Sequence, residues 1–76
     1  MDYNTDKVDE MVLALLYLTL SDDGRAWKEH DWEVMNRLHD KGFIEDPRNK
    51  NKSVALTETG YEACERLFRK HFAKSG

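Results

Sequence analysis

Apolar residues recur every three or four positions from Val8 onward: Val8, Met11, Val12, Leu15, Leu16 and Leu20 mark one face of a helix over residues 6–20. Leu13, Ala14, Tyr17 and Leu18 make its other side apolar too, so the helix is either buried centrally or shared with a partner. Asp6, Asp9 and Glu10 sit in its first turns, where negative charge complements the helix dipole. Residues 1–5 read as a loose end. The run Ser21, Asp22, Asp23, Gly24 is a turn.

A second stripe, Val34, Met35 and Leu38, predicts a helix over residues 32–41, capped by Asp31 and carrying Glu33 and Arg37 as an i,i+4 pair. Gly42 stops it, because glycine enters the left-handed region without steric cost. With Gly42 just past the end, Leu38 and Phe43 become the hydrophobic pair of a Schellman ending. The pattern then changes period. Phe43, Ile44 and Glu45 are β-prone up to Pro47, and residues 53–57 alternate with Val54 and Leu56 on one face. Together they predict a hairpin over residues 43–57 whose connection is too long for a tight turn, so its tip protrudes. Thr57 is placed to cap a last helix over residues 58–73, with Tyr61, Cys64, Leu67, Phe68 and Phe72 as its buried stripe. Gly60 in the first turn of that helix costs propensity, which points to another element packed closely there.

The order is α+β and winged-helix-like: mainly helical, with a two- or three-stranded antiparallel wing, in one domain over residues 1–76. One segment departs from an ordinary winged helix. Between the first two helices only residues 23–30 remain, too few for a further helix and its turns. They read as a short strand that pads the hairpin, with Trp27 packed inward.

The residues Leu38, Gly42, Phe43, Ile44, Val54, Leu56, Thr57 and Gly60 carry a resemblance. The stretch LHDKGFIEDPRNKNKSVALTETG is similar to the C-terminal half of the MarR and PadR winged-helix regulators, with their glycine stop, charged loop and Val-x-Leu-Thr-x-x-Gly ending. That resemblance implies a DNA-binding regulator of transcription. The whole chain, through DEMVLALLYLTL, RAWK, DW, RLHDKGFI and LTETG, also resembles an uncharacterised family of short bacterial proteins. That second resemblance implies no activity.

Composition narrows the classes. At 76 residues, 39% hydrophobic and 36% charged, the chain is globular with a small core. A chain of this size buries only about 60% of its unfolded surface, so a homodimer through the first and last helices would add needed burial. A single cysteine, Cys64, excludes an internal disulfide framework and suits a reducing cytoplasm. The acidic start lacks the pattern of a signal peptide, and the apolar run from Met11 to Leu18 is far short of a membrane span. Residues 1–46 hold twelve Asp/Glu against five Lys/Arg, and residues 47–76 hold three against seven. Such asymmetry is a charged partner's footprint or a mixed surface once folded.

No catalytic constellation is present in the sequence, and an enzyme is not expected. His30, His39 and His71 lack metal-ligand spacing, Cys64 is a small core residue, and no glycine-rich phosphate loop or nucleophile elbow occurs. No cofactor or metal is expected. Trp27 and Trp32 could stack on bases, against the commoner role of large aromatics in a small core.

The best candidate site is the loop from Pro47 to Lys52. Arg48, Lys50 and Lys52 alternate with Asn49 and Asn51, so the cations would pair with phosphates while the amides donate hydrogen bonds. Arg66, Arg69, Lys70 and Lys74 of the last helix would extend the patch. On the 32–41 helix, Asn36 and Arg37 have the chemistry to read adenine and guanine, although Asp31, Glu33 and Asp40 make that helix acidic. Two functions follow. One is a small cytoplasmic regulator on double-stranded DNA, with about four phosphate contacts and a log–log salt slope of roughly −3 to −4. The alternative is a winged-helix interaction or dimerisation module without nucleic acid, whose acidic face docks a basic protein or its own twin.

Overall fold

The computed structural model describes residues 1–74. Helix α1 spans Thr5–Leu16 and continues as a 3-10 turn over Tyr17–Thr19. Strand β1 is Arg25–Trp27, helix α2 Trp32–Asp40, strand β2 Ser53–Ala55 and helix α3 Glu58–Phe72. The class is α+β, and the arrangement is winged-helix-like: helix, helix, hairpin, helix, around a small antiparallel sheet. The core gathers Leu13 and Leu16 of α1, Met35 and Leu38 of α2, Ile44, Val54 and the Cys64–Leu67 side of α3. On α2 and in the strands these are the stripes that periodicity selects. On α1, Leu13 and Ala14 of the other side are fully buried, while Val8, Met11, Val12, Leu15 and Leu20 are only half-buried. On α3, Tyr61 and Phe72 of the expected stripe are exposed.

The first helix starts and ends differently from the reading of its pattern. Asn4, expected to be loose, caps it by accepting a hydrogen bond from the Lys7 amide at 3.0 Å. At its far end the apolar run outlasts the α-helix by a tightened turn, and Leu18 is left exposed. The greasy second side therefore does not all enter the core.

The boundaries around the wing follow the punctuation. Asp31 accepts from the Val34 amide as the cap of α2. Gly42 takes φ of 83°. The Gly42 amide donates to His39 O at 2.9 Å and the Phe43 amide to Leu38 O at 3.0 Å, the two bonds of a Schellman ending. Thr57 accepts from the Gly60 amide at 3.0 Å, and its hydroxyl lies 2.7 Å from the Gly42 carbonyl, to which it donates. The Thr57 amide donates to Phe43 O at 3.0 Å. That Phe43 carbonyl explains Gly60: a Cβ there would lie 1.8 Å from it. The expected close approach is of backbone to backbone.

The sheet corrects two details. The strand expected over residues 43–45 contracts to one bridge, Ile44 to Leu56, because the chain turns away towards a buried Pro47. The main partner of β2 is instead β1, pairing Arg25 with Ala55, Ala26 with Val54 and Trp27 with Ser53. So β2 is central, and residues 25–27 do pad the hairpin. Trp27, however, points outward and is 42% exposed, while Ala26 takes the inward position. Alternation decides this: one residue of a three-residue strand faces the core, and pairing with buried Val54 selects Ala26.

Candidate functional site: the wing tip

The tip of the wing, residues 46–52, is a loop tied by side chains. Asp46 accepts from the Arg48 amide at 2.9 Å, an Asx turn reinforced by Pro47, and its carboxylate also holds the Arg48 guanidinium at 3.0 Å. The Arg48 bonds hold the Asp46 carboxyl below its ordinary range. Asn49 accepts from the Asn51 amide and donates to Asp46 O. The decisive tie comes from β1's end. Lys28 Nζ donates to Pro47 O at 2.7 Å, Asn49 O at 2.9 Å and Asn49 Oδ1 at 2.8 Å. Its amide donates to Lys52 O at 3.1 Å.

The six candidate residues divide. Lys50 and Lys52 are exposed, and among the described residues neither forms an ion pair with a carboxylate. Lys52 Nζ lies 5.9 Å from the Trp27 ring centroid, at the outer edge of a cation–π contact. Arg48 is exposed but shares its charge with Asp46, and the Asn49 side chain is spent on the loop. Asn36 is half-buried on α2. Arg37 is committed elsewhere: its Nε and Nη2 bond the Asp9 carboxylate at 2.7–3.0 Å.

Asp9 is 1% exposed and belongs to α1. It also accepts from Lys41 at 2.9 Å, and Lys41 reaches Asp6 at 3.0 Å. Burial raises the Asp9 pKa, but the bonds from Arg37 and Lys41 outweigh it, and the carboxyl is held below 3.8. This cluster fastens α2 to α1 and removes Arg37 from the base-reading pair. The acids first read as dipole partners of α1 are therefore largely its bridges to other helices. Glu10 bonds Lys7 at 2.9 Å and His71 of α3 at 3.2 Å, with Lys70 adding to the attraction. On α3 itself Arg69 pairs with Glu65 at 3.1 Å. Of these bridges from α1 only Glu10–His71 joins the acidic half of the chain to the basic half, since Asp6 and Asp9 are paired by Arg37 and Lys41 of their own half.

Three contributors had weak signals or none. Asp46 before Pro47 is a turn signal that foretells its grip on Arg48. Lys28 is 19 and 21 residues from its acceptors, and nothing local marks it. Asp9 as a buried anion is disguised by its acidic neighbours. Cys64 is buried, and burial pushes its thiol up to about 11, away from thiolate chemistry. Among the described residues no group of three or more His, Cys, Asp or Glu is placed to hold a metal, and no helix is long and apolar enough to cross a membrane.

A short α+β chain with this wing defines a small winged-helix-like protein. It belongs to the family described as Domain of unknown function (DUF6429), which matches residues 4–74. It is 49% identical over 74 residues to the uncharacterized protein y4hR of Sinorhizobium fredii (strain NBRC 101917 / NGR234), covering 97% of this chain and 100% of that one. No solved structure matches the chain.

Proposed function

We propose that this protein binds nucleic acid, laying the tip of its wing along phosphates as the MarR and PadR regulators it resembles would do. The observation that supports this is the pair Lys50 and Lys52, exposed and, among the described residues, without carboxylate partners, on a loop that Lys28 holds in shape. Held loops lose less conformational freedom on binding, so two or three cations there are worth more than the same residues on a mobile segment. Arg48 joins as the third, exchanging part of its Asp46 contact for a phosphate. Base reading by Arg37 is not part of the proposal, because Asp9 holds that side chain. The contact is therefore with the backbone and independent of sequence.

A titration of generic duplex DNA over a range of salt tests this. Two to three neutralised phosphates give a log–log slope of roughly −2 to −3. Reversing both lysines, K50E with K52E, should abolish retention while the fold persists. No binding of either duplex or single-stranded nucleic acid at low salt, or binding indifferent to that double change, would sink the reading.

A second reading rests on a different face. Trp32 is 50% exposed on α2 beside exposed Glu33 and Asp40, the composition of a surface that docks a basic protein or a second copy. The first and last helices offer another seam, where Tyr17 and Phe68 stack at 4.9 Å and Phe72 stands half-open beside them. Sedimentation separates these: a W32E change that shifts a dimer to monomer assigns the α2 face, and an F72E change that does so assigns the helical seam. A strict monomer at all concentrations, retaining no basic protein, rejects both.

A further inference from the structure

Trp27 is the feature that the phosphate reading leaves over. Large aromatics in so small a domain belong in the core, yet the indole of Trp27 stands out from β1 at the edge of the wing, next to Lys52. Its inward neighbour Ala26 fills the sheet's core position, so strand alternation turns Trp27 outward. The amide of Trp27 is fixed by Thr19 Oγ1 at 2.9 Å, and β1 is paired on β2, so the ring is mounted on rigid backbone. Lys28, the very next residue, holds the tip that carries Lys50 and Lys52. An exposed aromatic plane on paired backbone thus stands near Lys52, on the wing whose tip also carries Lys50, and among the described residues neither lysine has a carboxylate partner.

Building on the phosphate-binding reading above, we propose that Trp27 is a stacking platform for an unpaired nucleobase, and that the wing prefers single-stranded nucleic acid to duplex. A base in a duplex already has both faces stacked and cannot lie on the indole. A base in a single strand can, and the flanking phosphates then fall to Lys50 and Lys52. The contact needs no hydrogen-bond reading, so it tolerates any base. Lys52, at 5.9 Å from the ring centroid, is weakly held and can leave the ring for a phosphate as the base arrives. The composition of α2 agrees: with Arg37 bonded to Asp9 and acids exposed beside Trp32, that helix is poorly suited to the major groove of a duplex.

The test uses the whole chain carrying W32F, so that Trp27 is the only tryptophan left to report of the two present. Oligo-dT, oligo-U and a duplex of equal length are titrated by anisotropy of a label on the nucleic acid and by tryptophan emission. The expected result is saturable quenching by the single strands and tighter binding to them than to the duplex. In the otherwise native chain, W27A should weaken single-strand affinity by roughly five- to a hundredfold, and W27F by less, with duplex affinity little changed. Far-UV circular dichroism shows that each variant is folded, and W27F provides the conservative comparison if W27A is not. Duplex binding equal to or tighter than single-strand binding, or single-strand affinity untouched by both Trp27 variants, overturns the stacking role while leaving phosphate binding in place. Failure of every nucleic acid to bind overturns both.

Discussion

The base and the tip of the wing are a few residues apart and are held by different means. At the base, Phe43 meets Thr57 and Gly60 through backbone atoms, with a Schellman ending on one side and the Thr57 hydroxyl capping the helix on the other. At the tip, the backbone makes few bonds of its own, and side chains of Lys28, Asp46 and Asn49 supply the rest. Backbone contacts at close range accept only certain residues. Side-chain ties across a solvated loop accept many. The base is therefore the part of the wing where substitutions should cost stability, and the tip the part where they should change binding and local motion.

The sharpest way to break that contrast is at Gly60. Its Cβ position lies 1.8 Å from the Phe43 carbonyl oxygen and 2.7 Å from its carbon, and both atoms are backbone that cannot swing aside. Gly60→Ala should cost about 3 kcal/mol even after alanine returns about 1 kcal/mol of helix propensity. Urea denaturation measures it. A cost near zero would mean that the start of α3 is not seated on the wing's base.

A smaller loss is expected where α2, which launches the base, is fastened to α1. Asp9→Asn keeps the shape but removes the charge that Arg37 and Lys41 share. Both cations keep partial access to water, so the loss should be about 2 kcal/mol, below the full cost of breaking a buried pair. The pH dependence follows from the direction of the shift. Since the folded Asp9 carboxyl titrates below its ordinary 3.8, its contribution is present above that value and lost as pH falls from there through the lower folded value. The native chain should therefore lose stability on acidification below about pH 4 more steeply than Asp9→Asn. Parallel curves would show that other carboxylates set the acid limb.

Thr57→Ala comes next. It removes the cap on the Gly60 amide and the hydroxyl's bond to the Gly42 carbonyl, and typical caps are worth about 1 kcal/mol. Thr57→Ser should restore most of that. If serine does no better than alanine, the methyl group and not the hydroxyl is what the base uses.

The contrast also separates what the sequence made legible from what it hid. Gly42, Thr57 and Gly60 were readable because each answers a local backbone demand: a positive φ, an orphan amide, a close approach. The charges of the tip were readable as charges, but their partners were not. Arg37 looked free to read a base because its partner, Asp9, is 28 residues away and sits among acids that suit a helix start. Residue type points Trp27 to the core, whereas pairing register puts Ala26 there. Local physics is written in neighbouring residues; ion pairing and register across the sheet depend on a fold that no short window contains.

The tip itself is tested by Lys28→Met, which keeps the aliphatic stem and deletes the ammonium. Three hydrogen bonds to Pro47 and Asn49 disappear, but Asn49 is exposed and the buried Pro47 carbonyl keeps the Asn49 amide at 3.0 Å, so the loss in global stability should stay below about 1 kcal/mol. The effect should appear locally instead. Amide exchange at Asn49 and Asn51 should quicken, while the Phe43 and Thr57 amides, bonded to Leu38 O and Phe43 O at the base, should keep their protection. If the tip's shape is what makes Lys50 and Lys52 effective, affinity for nucleic acid should fall several-fold although neither lysine has been touched, because a loosened loop must be ordered on binding. Exchange that quickens equally at base and tip would show that Lys28 supports the whole wing, and the division between a seated base and a tied tip would then fail.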